Sequence, residues 1–304
     1  MKNINCPICN SEDCKLLIST ADTEYYTSDK IYNYKICNQC KTVFLEKFLI
    51  DKLSEIYPKE YYSNHENKNF LYKIKKIYEA FYFKKKFQLK KSLRYSILDI
   101  GGGSGEVAES FQLFQKIKQD IDILDINDDQ KKICQAKGFN FIKEDILNIS
   151  GLKKYDFILM VNFIEHISNP LDVLKKASLL LKEKGKIYIQ TPNTDNINFK
   201  IFKKNFWGGY HAPRHWILFN KKNFELLLNQ TELSIDSFKY TQGGPQLAAT
   251  FYNILQKFIP LKKGITNSKI FKLLFLFCIL IDIPRSLFFN TDQMILVLKK
   301  KIKL

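Results

Sequence analysis

Arginine is almost missing from this chain. Of its 48 basic residues 45 are lysine, and the arginines stand only at Arg94, Arg214 and Arg285. Nucleic-acid surfaces favour the guanidinium fork for phosphates and guanine. A net charge of +17 therefore argues for a lysine-rich compositional bias, with an anionic membrane surface as the other partner class it suits. Long apolar runs are lacking as well: the longest, 273–281, covers nine residues, against the ~20 that a bilayer-spanning helix requires. No N-terminal signal-peptide pattern is present, so a cytoplasmic protein, at most peripheral at the inner membrane face, is expected. Glycine is scarce, 12 in 304 residues, which makes any cluster of it informative. At this length about two domains are expected, and 45% hydrophobic residues suffice for a sizeable core.

Four of the twelve glycines fall between 101 and 105, in S-I-L-D-I-G-G-G-S-G-E. Ile97, Leu98 and Ile100 read as a strand buried on both faces, and Val107, Ala108, Phe111 and Phe114 follow at helical spacing. A strand, a glycine turn and a helix make a place where a ligand can lie against bare backbone at a helix N-terminus. The dinucleotide pattern G-x-G-x-x-G would need glycine at 106, where Glu106 stands, and no Gly-Lys-Ser/Thr follows to make a phosphate loop. Strands are then expected at 121–126, ending near Asp125, at 139–142, ahead of Asp145, and at 156–161, leading into I-E-H-I-S-N-P. A helix at 171–181 and a strand at 187–190 complete the alternation. An acid about 20 residues past the glycines is where such folds meet ribose hydroxyls.

These motifs, in this order, resemble class I S-adenosylmethionine-dependent methyltransferases, above all the branch of the ubiquinone-biosynthesis O-methyltransferases. The resemblance covers about 93–242. It implies an α/β, Rossmann-like seven-stranded sheet with an antiparallel edge formed by strands at 235–240 and 294–298. It also implies an S-adenosylmethionine site built from Asp99, Gly101, Gly103, Gly105, Asp125, Ile126, Asp145, Ile146 and Asn162. In that family Glu165 and His166 would be joined by a second glutamate, three residues earlier, in holding a divalent metal. This chain has Asn162 there, which argues against a hard-cation site.

Cys6-x-x-Cys9 and Cys37-x-x-Cys40 form two knuckles. Four thiolates spaced this way can close tetrahedrally on one structural Zn²⁺; two disulfides are the alternative, which a reducing compartment disfavours. Cys14 is a competing ligand without a paired knuckle, and Cys134 and Cys278 read as buried small apolar residues. A strand at 42–45 and Y-P-x-x-Y-Y at 57–62 follow, a combination that resembles bacterial methyltransferases of glycan and natural-product pathways. The helix expected over 68–92 carries Leu71, Ile74, Tyr78 and Phe81 on one stripe, suited to seating the ribbon on the catalytic domain.

The segment 193–220 is long for a connection and gathers Trp207, Tyr210, His211, Arg214 and His215. Trp207, Tyr210 and Arg214 are candidates for the acceptor, the guanidinium suiting phosphate or carboxylate. His166, His215 and His211, in that order, are candidates for a base that removes the acceptor's proton. The apolar stretch 270–289 fits either a lid over the site or a helix on the membrane surface. Four parts follow: a zinc-ribbon-like module at 1–46, linker helices at 47–92, the methyltransferase domain at 93–242 and 293–304, and a helical insertion at 243–292. The expected activity is methyl transfer to a small-molecule, sugar, glycan or lipid-linked acceptor. An RNA methyltransferase with a docking ribbon, or a non-catalytic cofactor-binding protein, are the rivals.

Overall fold

The computed structural model describes residues 5–58, 70–151, 153–259, 265 and 268–302. Of the Y-P-x-x-Y-Y segment, residues 59–62 lie outside the described residues, as does the side chain of Leu71. The central sheet begins with β4 (Ser96–Ile100), every residue of which is buried, as its apolar run requires. β5 (Asp120–Asp125), β6 (Asn140–Lys143), β7 (Tyr155–Val161) and β8 (Leu181–Pro192) join it in parallel. β10 (Leu233–Thr241) and β11 (Gln293–Lys300) close the other side antiparallel, giving the order β10-β11-β8-β7-β4-β5-β6. The α/β expectation and its antiparallel edge are met. All the parallel strands therefore end along one edge, where the chain turns back into helices and where ligands bind in open α/β sheets.

The N-terminal ribbon has β1 (Cys14–Thr20), β2 (Tyr32–Cys37) and β3 (Val43–Leu45). Its sheet takes a fourth strand, β9 (Ile217–Leu218), from the long segment after β8, with Val43 opposite Leu218 and Phe44 opposite Ile217. Ribbon and central sheet share one apolar core, in which Tyr34, Phe44 and Leu45 lie with Trp216, Phe219 and Met294.

Helix α1 (Leu53–Ile56) is short, and α2 (Phe70–Lys86) packs against α3 (Glu106–Gln112) and the sheet. The expected stripe of α2 is the wrong one: Ile74, Tyr78 and Phe81 are exposed. The buried stripe is Lys76, Ala80 and Phe83, continued by half-buried Phe87 beyond the helix end. The sequence is apolar on two sides of this helix, and ring packing decides between them. Phe83 stacks on Phe111 at 4.5 Å and meets Tyr188 edge-on at 5.2 Å. Lys76 is tolerated inside because its Nζ donates to the Glu106 carbonyl and the Glu79 carboxylate. This helix thus serves the sheet, and the ribbon is seated by β9 instead.

The remaining helices are α4 (Lys131–Ala136), α5 (Pro170–Leu180), α6 (Ile197–Phe202), α7 (Lys221–Leu228), α8 (Gly244–Phe258) and α9 (Lys269–Phe288). Asn220 caps α7 in a reciprocal box with Asn223. α8 and α9 pack on each other through Leu247, Ala248, Leu274 and Cys278. Among the described residues no helix is long and apolar enough to cross a membrane.

Replacing Phe83 by Ala should cost about 3–5 kcal/mol, the range for a large aromatic removed from a core. Phe81→Ala should stay within about 0.5 kcal/mol, as exposed positions do. Urea unfolding of the two variants separates the two stripes of α2.

Candidate active site

The glycine turn is a bare-backbone cradle. Gly101, Gly103 and Gly105 have φ of +67°, +51° and +70°, a region L side chains seldom enter. A Cβ on Gly102 would lie 2.7 Å from the Asp99 carboxyl carbon, so this glycine exists because Asp99 sits beneath the loop. Asp99 is buried, its Oδ2 meets no hydrogen-bond donor, and burial pushes its carboxyl up to about 7. The orphaned oxygen under the loop is the kind of acceptor a bound ligand's ammonium or hydroxyl would satisfy.

Asp125, at the end of β5, is tied to the same loop. Its Oδ2 accepts from the Gly103 N–H at 3.1 Å and its Oδ1 from the Asn127 N–H at 3.0 Å. Asp145 stands exposed after β6, its Oδ1 accepting from the Leu147 N–H at 2.8 Å. Ile126 is exposed beside these acids, but Ile146 is turned into the core and cannot flank a ring. The exposed apolar side chain on that side is Leu147, one position further on. The turn around Asp145, and not residue type, sets which neighbour points outward.

Asn162 follows β7 with φ of +48° and donates its N–H to the Gln190 carbonyl at 2.8 Å. Its neighbour Phe163 lies over Gly101 so closely that a Cβ there would come within 2.5 Å of the ring. Asn162 also lines a cavity of about 190 Å³, shared with Glu24, His166, His211 and His215. The glycine cradle and this histidine cavity are therefore adjacent, with residues 162–163 between them.

The three histidines converge. His215 lies 4.8 Å, ring centre to ring centre, from both His166 and His211. His166 Nδ1 donates to the Arg214 carbonyl at 2.9 Å and lies 2.9 Å from Tyr57 Oη. Burial, aided by the neighbouring His211, pushes the His166 imidazole down to about 3. His215 Nδ1 donates to the Gly209 carbonyl at 2.8 Å, and burial with its two histidine neighbours pushes it well below its ordinary range. Neither ring takes up a proton readily. His211 has a different partner: its Nδ1 is 2.7 Å from the Glu24 carboxylate, which comes from the ribbon. That carboxylate holds the ring and balances a charge appearing on it.

Glu165 lies below the cluster, fully buried, and burial pushes its carboxyl up to about 8. Its Oε2 accepts from Thr191 Oγ1 at 2.8 Å, while Oε1 meets no donor and is 3.9 Å from His215 Nε2. Glu165, His166 and His215 place ligand atoms within 4.8 Å of one another. Such an imidazole–carboxylate set suits a transition metal better than a hard cation.

Of the three acceptor candidates, Trp207 and Tyr210 line a cavity of about 280 Å³ together with Glu24 and His211, whereas Arg214 is committed elsewhere. Arg214 is fully buried and holds Asp22 of the ribbon with both terminal nitrogens, at 3.3 and 2.8 Å, its guanidinium 4.3 Å from the Tyr25 ring centre. It cannot reach an anionic acceptor. Trp207 is buried and donates its indole N–H to Asp292 at 2.8 Å; Tyr210 is buried with its hydroxyl on the Lys203 carbonyl. Both brace the loop. Asp22 and Glu24, which complete the site, gave no local signal, because their partners lie far along the chain.

A model described as a methyltransferase domain matches residues 46–237. The chain belongs to this methyltransferase family. Its relatives include a ubiquinone biosynthesis O-methyltransferase of Glaesserella parasuis, 30% identical over 32% of this chain and 45% of that one. A malonyl-[acyl-carrier protein] O-methyltransferase of Ilyobacter polytropus is 33% identical over 33% of this chain and 40% of its own. The chain thus spans less than half the length of these two relatives. A solved structure described as a sarcosine dimethylglycine methyltransferase of Galdieria sulphuraria shares the fold, with a TM-score of 0.50 at 16% identity over 76% of this chain and 87% of that one.

At the ribbon tip the sulfurs of Cys6, Cys9, Cys37 and Cys40 all lie within 4.8 Å of one another, the closest pairs at 3.4 and 3.5 Å, and no disulfide joins them. Cys14 stands outside this set with its thiol on the Ser11 carbonyl.

Burial alone would raise the Asp22 carboxyl, but Arg214 outweighs it and holds the group at about 2. The folded-state value lies below the unfolded value of ~3.9, so the stabilisation is present above pH ~4 and lost as pH falls towards 2. Asp22→Asn should destabilise the protein at neutral pH by about 3–5 kcal/mol, as for a broken buried pair. It should also flatten the acid limb, which urea midpoints measured across that window will record.

Proposed function

We propose that the protein transfers the methyl group of S-adenosylmethionine to a small-molecule, sugar, glycan or lipid-linked acceptor seated in the histidine cavity. What carries this reading is the adjacency of the two places: a left-handed glycine cradle flanked by Asp99, Asp125 and Asp145, and a polar cavity opening beside it at Asn162. Bound in the cradle, the cofactor would supply a methyl group on a sulfonium. Asp125 would hold ribose hydroxyls, Asp145 an adenine amino group, and Ile126 with Leu147 the faces of the ring. Orientation across residues 162–163 supplies most of the effect in such a displacement, ~7–11 kcal/mol in favourable cases.

His211, held by Glu24, is the side chain suited to take a proton from an acceptor hydroxyl or amine. His166 and His215, with their carbonyl partners, shape the wall. The ribbon supports the small-acceptor reading over an RNA-docking one, since its acidic loop is committed to the histidine cavity and Arg214 is buried. Four clustered free thiols fit one structural Zn²⁺ on Cys6, Cys9, Cys37 and Cys40, closed to further ligands.

Calorimetry should show binding of S-adenosylhomocysteine that weakens by about 1.5–3 kcal/mol in Asp125→Ala, the scale of a charge-assisted hydrogen bond. Equal affinity in that variant, or binding of a nicotinamide dinucleotide instead, would remove the reading. Elemental analysis of protein purified without added metal should give about one zinc per chain, lost on changing Cys9 and Cys37 to Ser. Zinc retained in that double variant would place the metal at Glu165, His166 and His215.

A further inference from the structure

Helix α9 is apolar on two sides, and only one of them is used. Its inner side, Phe271, Leu274, Phe275 and Cys278, packs on α8, and Phe271 with Ala249 and Gln246 roofs the histidine cavity. Its outer side carries Leu273, Leu276, Phe277, Leu280, Ile283 and Leu287, all exposed. Their spacing of three and four residues makes one continuous stripe along the helix. Phe258 and Ile259, at the end of α8, are exposed as well, as are Phe288 and Phe289. Isolated apolar side chains on a surface need no explanation, but a full helical stripe of them marks an interaction face.

The charge around this face selects the partner. Residues 244–289 contain six basic residues, Lys257, Lys262, Lys263, Lys269, Lys272 and Arg285, against a single acid, Asp282. That acid is buried, accepting from the Gly243 N–H at 2.7 Å and pairing with Arg285 at 2.9 Å. Lys257, Lys269 and Lys272 are exposed. The hairpin therefore offers an apolar stripe with only positive charge exposed beside it. We propose that this outer face of α9 lies on the surface of an anionic lipid bilayer, with Leu273, Phe277, Leu280 and Leu287 in the acyl boundary and the lysines at the headgroups. A helix too short in apolar length to span is bound in the interface plane by this combination. The lid and the membrane-surface element are then the same helix, one side for each. For the methyl-transfer reading, on which this clause alone rests, the acceptor is an amphipathic molecule drawn from the bilayer under the roof.

Vesicle flotation of the full chain, without cofactor or turnover, tests the docking independently of the chemistry. Wild-type protein should float with phosphatidylcholine vesicles containing phosphatidylglycerol and much less with phosphatidylcholine alone, and added salt should weaken the binding. Leu273→Glu, Leu280→Glu and Leu287→Glu combined should reduce binding at least about tenfold with an unchanged thermal midpoint, because these side chains touch no core. Lys257→Glu with Lys272→Glu should reduce it only on the anionic vesicles. Wild-type protein that stays unbound on both vesicles overturns the proposal, as does a triple variant that floats like wild type. A wild-type dimer in light scattering that the triple variant converts to monomer, with no vesicle binding, would assign the face to a second copy and overturn it equally.

Discussion

The site depends on one buried ion pair. Asp22 and Arg214 are both removed from water, and the guanidinium also covers the Tyr25 ring. Two charges so placed are tolerated only with close geometry and further hydrogen bonds, which the Tyr25 and Thr27 backbone N–H groups give Asp22. Through this pair the ribbon grips the segment between β8 and α7. His211 and His215 flank Arg214 in sequence, so fixing the arginine fixes both rings. Tyr34 adds its hydroxyl to the Tyr210 and His215 carbonyls, and Glu24 reaches His211. The cysteine ribbon is therefore a wall of the histidine cavity.

That arrangement sets His211 apart from His166 and His215. A ring enclosed between a carbonyl, a tyrosine and other imidazoles loses proton affinity, since nothing nearby compensates the charge. His166 and His215 are in that position. Their value lies in rigidity, because each spends its Nδ1–H on a backbone carbonyl and so keeps one tautomer. Only His211 faces a carboxylate at hydrogen-bond distance. Glu165, its carboxyl raised by burial, sits under the cluster.

What the sequence made legible was local. The glycine turn, Asp125 at a strand end and the strand–helix alternation follow from periodicity and turn chemistry within a few tens of residues, and the sheet order matches them. The knuckle cysteines converge as their spacing implied. Apart from the turn at Asp145 that points Leu147 outward in place of Ile146, the failures are long-range. Arg214 looked like an anion binder because its partner Asp22 is distant in the chain. Two apolar stripes on α2 competed, and only the rings on α3, β7 and β8 could choose between them. α9 had the reverse problem: both of its apolar sides were real, one facing protein and the other left uncovered.

The pairing of β3 with β9 bears on the order in which the protein is made. The cysteine knuckles and the first three ribbon strands leave the ribosome well before β9. The ribbon's outer edge at Val43–Leu45 must then wait, unpaired, for Ile217–Leu218. An open strand edge is a template for wrong partners during that interval. The ribbon keeps this edge to three residues, which limits what a stray strand can gain there, and the histidine cavity closes only when most of the chain has emerged.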